Sequence, residues 1–68
     1  LKKSHNPDQV VGMVGSVRTD LRPEGSVYVG GENWTARSRE PITTGSTVRV
    51  VRREGLVLEV EKIAEEAH

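Results

Sequence analysis

Apolar residues in this chain arrive in short bursts that alternate with polar ones and are cut by glycine or proline. The bursts occupy residues 13–17, 26–29, 33–36, 47–51 and 56–60. A period of two places alternate side chains on opposite faces of a strand. The bursts are rich in valine, whose branched Cβ loses rotamer freedom in a helix and packs well on a pleated sheet. Five strands so closely spaced leave no chain for a covering layer, so the sheet is expected to close on itself as a small barrel. Alternation then sorts the faces. Val17, Val27, Val29, Trp34, Ala36, Val48, Val50, Leu56, Leu58 and Val60 are expected inside, as the core. Tyr28, Arg37, Arg49, Val51 and Val57 are expected outside.

The breaks carry their own chemistry. The first strand is drawn over residues 10–21, with Gly12 and Gly15 where a side chain would obstruct a bulge or corner. Leu21-Arg22-Pro23-Glu24-Gly25 reads as a turn, with Pro23 presetting φ and Gly25 accepting positive φ. Gly30-Gly31 is a two-residue hairpin signal between the second and third strands. Residues 39–46 form a loop around Pro41 and Gly45, with Ile42 as its apolar peg, and Arg53-Glu54-Gly55 turns the chain again. The barrel domain is therefore drawn at 10–62, after a polar lead-in at 1–9 and before a charged tail at 63–68.

Composition narrows the function. The chain has 68 residues, no cysteine, and 10 basic residues against 10 acidic ones. That is one small domain without disulfide or thiolate metal support, and without a net field for nucleic acid or anionic lipid. The chain starts at Leu1, so it is read as a fragment or processed product. For catalysis, a nucleophile needs a base held in reach by a third group. His5 and His68 lie in the two tails, no serine sits in a G-x-S-x-G elbow, and Lys2, Lys3 and Lys62 all lie near the ends. No catalytic, metal or cofactor residue is assigned, and the chain is not expected to be an enzyme. Glu59 and Glu61 read as the solvated face of the fifth strand.

The string Gly12-x-x-Gly15-x-Val17-x-x-x-Leu21-x-Pro23-x-Gly25 resembles the opening of the NfeD soluble domain. The resemblance continues through Val27-Tyr28-Val29-Gly30-Gly31-Glu32-x-Trp34-x-Ala36-Arg37. It runs on through Pro41-Ile42-x-x-Gly45-x-x-Val48-x-Val50-Val51 and Glu54-Gly55-Leu56-x-Leu58-x-Val60. It implies an all-β, five-stranded, oligonucleotide-binding (OB)-like Greek-key barrel. The 39–46 loop is too short for the helix often found between strands three and four of that fold. It further implies a membrane-anchored parent, with this domain soluble and on the cytoplasmic side. The implied partners are membrane scaffold proteins of the stomatin, prohibitin and flotillin class, or a membrane protease that they help to regulate. Some long members of the family carry a serine protease domain that these residues do not contain.

The expected work is docking, through a surface of Tyr28, Arg37, Arg39, Arg49, Val51 and Val57, since arginine and tyrosine combine contact area with directional hydrogen bonds. Two rivals remain open. One is single-strand nucleic-acid binding, which needs aromatic platforms inside a basic groove; Tyr28, Trp34 and six arginines would have to supply it, with Glu32, Glu40 and Glu54 among them. The other is self-association through a strand edge. Trp34 has two readings, a core plug with its N–H on a backbone carbonyl or an exposed interface anchor, and its shared parity with Ala36 favours the core.

Overall fold

The computed structural model describes residues 9–63. Five strands follow one another: β1 (Val14–Val17), β2 (Glu24–Val29), β3 (Glu32–Arg37), β4 (Thr47–Glu54) and β5 (Val57–Lys62). They close a barrel in the order β1-β2-β3-β5-β4, with β4 returning to β1. All neighbours are antiparallel except β3 and β5, which run parallel from Thr35↔Val57 to Arg37↔Glu59. This is the all-β closure expected from the alternation and the OB-like barrel that the resemblance implies, and no helix occurs among the described residues. Of the lead-in at 1–9 and the tail at 63–68, residues 1–8 and 64–68 lie outside the described residues.

Glycine sets the tight places. Gly30 and Gly31 both take positive φ, 61° and 87°, as a two-residue turn of type I′ requires, and they join β2 to β3. Gly15 has a different task. A Cβ there would strike the Tyr28 carbonyl and the Val29 side chain, so the bare glycine lets β1 lie close on β2.

The core holds Val10, Val17, Leu21, Val27, Val29, Ala36, Ile42, Val48, Val50, Leu58 and Val60, all buried. Removing such side chains from water supplies about 1.5–3 kcal/mol each and is the main stabilising term.

Four local features differ from the reading of the sequence. Leu56 is not in the core. It is 76% exposed, because Glu54 pairs with Val57 and leaves Gly55-Leu56 as the two-residue turn between β4 and β5. Gly55, at φ 60°, takes the first central position of that turn, which pushes Leu56 out to the second. Trp34 is half-buried and packs against the edge of the core rather than filling it. The first strand is shorter than drawn. Residues 9–12 are turn, and Leu21 makes an isolated bridge to Ile42, with Leu21 N–H donating to Ile42 O at 2.8 Å and Ile42 N–H to Leu21 O at 3.2 Å. Gly25 lies inside β2 without positive φ. It is glycine because a Cβ would press on the backbone carbonyls of Asp20 and Thr19, while Arg22-Pro23 turns through a cis bond.

One irregularity governs the outer face. β4 pairs Val50 with Val60 and then Arg52 with Glu59, so Val51 is an extra residue, a β-bulge. Parity inverts beyond it. Val48 and Val50 point in, Val51 and Arg52 point out, and Arg53 lands opposite buried Leu58 on the inward side.

Candidate partner-binding surface

The bulge, the parallel β3–β5 pair and the loop at 38–46 together shape the outer face. Arg37 on β3 donates to Glu54 at 3.1 Å and to Glu59 at 3.3 Å. Arg52 reaches the same two carboxylates, bonding Glu54 and standing 3.7 Å from Glu59. Arg49 donates to Glu61 at 2.9 Å. Cross-strand registry brings these groups together, since Arg37 and Arg52 both flank Glu59 and Arg49 sits opposite Glu61. Each pair is solvent-accessible and contributes little stability, on the order of 0–1 kcal/mol. Its effect is to fix long side chains in place and offset most of the basic charge.

The six residues proposed for docking divide unevenly. Arg37, Arg39, Arg49, Val51 and Val57 occupy the contiguous sector β3–β5–β4 and the loop that follows β3. Arg37, Arg39 and Val51 line one groove of about 770 Å³ there, together with Ile42, Val60 and Lys62. Tyr28 stands apart on β2, 42% exposed, with the Arg18 guanidinium 5.5 Å from its ring centre. Val57 is half-buried on the outward side of β5, beside Thr35. Lys62 and the bulge were not singled out from the sequence. A bulge leaves no mark in the valine-arginine alternation, because Val51 reads as an ordinary outward residue in either register.

The aromatic residues do not build a base-stacking platform. Trp34 lies at one mouth of the barrel with the Arg53 guanidinium 5.0 Å over its ring, beside a smaller pocket of about 350 Å³ that includes Met13 and Val29. Val27↔Trp34 and Tyr28↔Asn33 are successive pairs, so the two rings lie on opposite faces of the sheet. Arg37, Arg49 and Arg52 on the outer face are engaged by carboxylates. The geometry thus lacks the aromatic-lined basic groove that single-strand binding uses. Barrel closure also uses most of the strand edges on which self-association would rely. His5 and His68 lie outside the described residues, and among the described residues no three His, Asp or Glu side chains group to hold a metal ion.

At the end of the barrel bearing the loops, Asp20 ties two of them together. Its carboxylate accepts from Thr44 N–H at 2.8 Å and from Thr44 Oγ1 at 2.7 Å. The Thr44 hydroxyl, then the Thr44 backbone N–H, hold its pKa below the ordinary 3.8, with a smaller contribution from Arg22.

Comparison with known proteins agrees with this architecture. Residues 7–62 match the family model described as the NfeD-like C-terminal, partner-binding domain. The chain belongs to the NfeD family. It is similar to the membrane-bound protease PH1510 of Pyrococcus horikoshii, 43% identical over 53 residues that make up 75% of this chain and 12% of that protein. The chain therefore spans about an eighth of that relative's length. Among solved structures it resembles the C-terminal domain of stomatin operon partner protein 1510-C from P. horikoshii, at 37% identity and TM-score 0.80. That match covers 93% of this chain and all of the other. It also resembles the soluble domain of a membrane protein implicated in regulation of membrane protease activity from Corynebacterium glutamicum. Here identity is 30% and TM-score 0.79, over 87% of this chain and all of that one. The NfeD family model that the chain matches is that of a partner-binding domain.

Proposed function

We propose that this NfeD domain is the soluble docking module of a membrane-attached parent, and that its partner is a scaffold protein of the stomatin, prohibitin or flotillin class. Through that contact it takes part in regulating a membrane protease, from the cytoplasmic side. The observation that carries the reading is the match of residues 7–62 to a partner-binding domain family. Two relatives support its direction, one described as a stomatin operon partner and one as implicated in regulating membrane protease activity. Among the described residues no helix is long and apolar enough to cross a membrane.

The docking surface consists of Tyr28, Arg37, Arg39, Arg49, Val51 and Val57, and the barrel is its rigid support. Four of the six carry an arginine or tyrosine side chain, the types that anchor interfaces. Purified stomatin-type scaffold captured on the immobilised chain tests the reading. The double variant Tyr28→Ala/Arg49→Ala is expected to retain less scaffold while its circular dichroism is unchanged. Equal capture by the folded double variant removes Tyr28 and Arg49 from the surface. Absence of capture by the unaltered chain removes this class of partner.

A further inference from the structure

We propose that the free margin of β5 at Val60, Glu61 and Lys62 is a docking edge for an extended segment of a partner protein whose side chains alternate apolar and acidic. The proposal rests on the partner-binding reading and locates it. The barrel is closed, but not along its whole height. β3 pairs with β5 only from Thr35↔Val57 to Arg37↔Glu59. β5 continues for three more residues, pairing Val60, Glu61 and Lys62 with Val50, Arg49 and Val48 of β4 and with nothing of β3. The chain leaves β3 at that point and is held away, with Ser38 N–H donating to Pro23 O at 3.0 Å. The gap is the groove of about 770 Å³. An open sheet edge is a template for an added strand, which needs only about 4.8 Å beside its neighbour.

The side chains around the edge specify the occupant. Ile42 and Val60 form the buried floor of the groove, and Val51, the outward residue of the bulge, is 45% exposed on its flank. Val51 is the surface that accepts an apolar side chain. Arg37 and Arg52 in the same groove already share Glu54 and Glu59, and Glu61 is held by Arg49. The uncommitted charges are two cations, Arg39 and Lys62, and one carboxylate, Glu40. Among the described residues neither cation has an ion-pair partner, so the balance favours acidic side chains. A second copy of this chain is the poorer occupant, since its own β5 would bring another Lys62 and Arg39 against these. No aromatic side chain lines the groove, which disfavours nucleic acid.

The probe is a capped six-residue peptide of alternating glutamate and valine, titrated into the 15N-labelled chain and followed by amide chemical shifts. The expected result is saturable shifts at residues 60–62 and 38–42. Binding should be about tenfold weaker for the double variant Arg39→Glu/Lys62→Glu, and lost for a peptide N-methylated at alternate residues. Both substitutions are at exposed positions, and the same spectra report whether the variant is folded. Shifts confined to Tyr28 or the Trp34 end, equal binding by the methylated peptide, or no saturable shift at low-millimolar peptide overturns the edge. The stomatin-type scaffold separates this inference from the one beneath it. Scaffold captured equally by the unaltered chain and by Arg39→Glu/Lys62→Glu overturns the edge and removes Arg39 from the docking surface, and leaves scaffold docking through the other five residues standing. Peptide bound at β5 without capture of scaffold supports the edge and overturns the scaffold as partner.

Discussion

At the end of the barrel where the two hairpins turn, side chains do the closing. Trp34 lies under Arg53, and Met13 and Val29 help to line the small pocket between them. At the opposite end, backbone and short polar groups do it, through the reciprocal Leu21–Ile42 bridge, Ser38 N–H on Pro23 O, and Thr44 on Asp20. The first end leaves apolar surface exposed at Val11, Met13 and Leu56. The second buries Leu21 and Ile42 fully or nearly so, yet leaves three residues of β5 unpaired on one side. Hydrogen bonds hold loops in place without filling the space between them, and a groove remains. Contact between side chains fills space but tolerates loose edges.

The sharpest way to break this comparison is to truncate one leucine at each end. Leu21 is fully buried and Leu56 is 76% exposed. Leu21→Ala is expected to cost about 2–5 kcal/mol, enough to unfold much of so small a barrel. Leu56→Ala should stay within about 0.5 kcal/mol. Denaturant midpoints of the two variants decide, and equal losses would mean that the β4–β5 turn packs as core. The next largest effect belongs between the ends. Gly15→Ala places a methyl group against the Tyr28 carbonyl and the Val29 side chain and should cost about 1–3 kcal/mol. Gly45→Ala provides the contrast, since its methyl group would meet open space and only the positive φ opposes it. Thermal melts of the pair separate close approach from backbone strain.

These leucines also show what could be seen before any coordinates. The pleat was legible, because strict alternation through Val48, Val50, Leu58 and Val60 allows one register against a buried face. The Gly30-Gly31 hairpin was legible because glycine takes, at no steric cost, the positive φ found at both of its positions. Leu56 was not, since a two-residue turn at Gly55-Leu56 and a turn ending at Gly55 differ by one residue of register. Leu21 was misread as strand because its pairing with Ile42 is a single bridge between loops, which no local periodicity encodes. The groove depends on where β3 leaves β5, a non-local property, so Lys62 gave no signal beyond its charge. Arg37, Arg39 and Val51 share the groove, and five of the six proposed docking residues share one sector. Tyr28, chosen by the same parity argument, faces outward but elsewhere.

A smaller effect sharpens the account of the hairpin end. Arg53 stands over Trp34 and its Nε donates to Gly55 O at 2.7 Å. Arg53→Met keeps the apolar stem and removes the cation, and should cost about 0.5–1 kcal/mol. Trp34 is the only tryptophan, so its fluorescence emission should shift in this variant. Arg52→Met, which loses exposed ion pairs on the other side of the strand, should leave the emission unchanged. Equal shifts in both would place the indole elsewhere.

The smallest expected effect tests the polar closure of the loop end through pH. The Asp20 carboxylate is favoured in the folded chain by the Thr44 hydroxyl and N–H, so its folded pKa lies below the ordinary 3.8. A depressed pKa means that the folded state binds the proton less readily than the unfolded state. The stabilisation is therefore fully present above the ordinary carboxylate value. It fades as pH falls through 3.8 toward the lower folded value. Asp20→Asn keeps the shape and removes the titration. The stability gap between the unaltered chain and Asp20→Asn should be widest near neutral pH and narrow steadily below pH 4, with the Leu21–Ile42 bridge intact in both. Because the carboxylate is solvent-accessible, the narrowing will be modest and reduced by salt. A gap that holds constant across the acid range would mean that hydrogen-bond geometry, and not the charge on Asp20, ties these loops. The loop end would then have no electrostatic clasp.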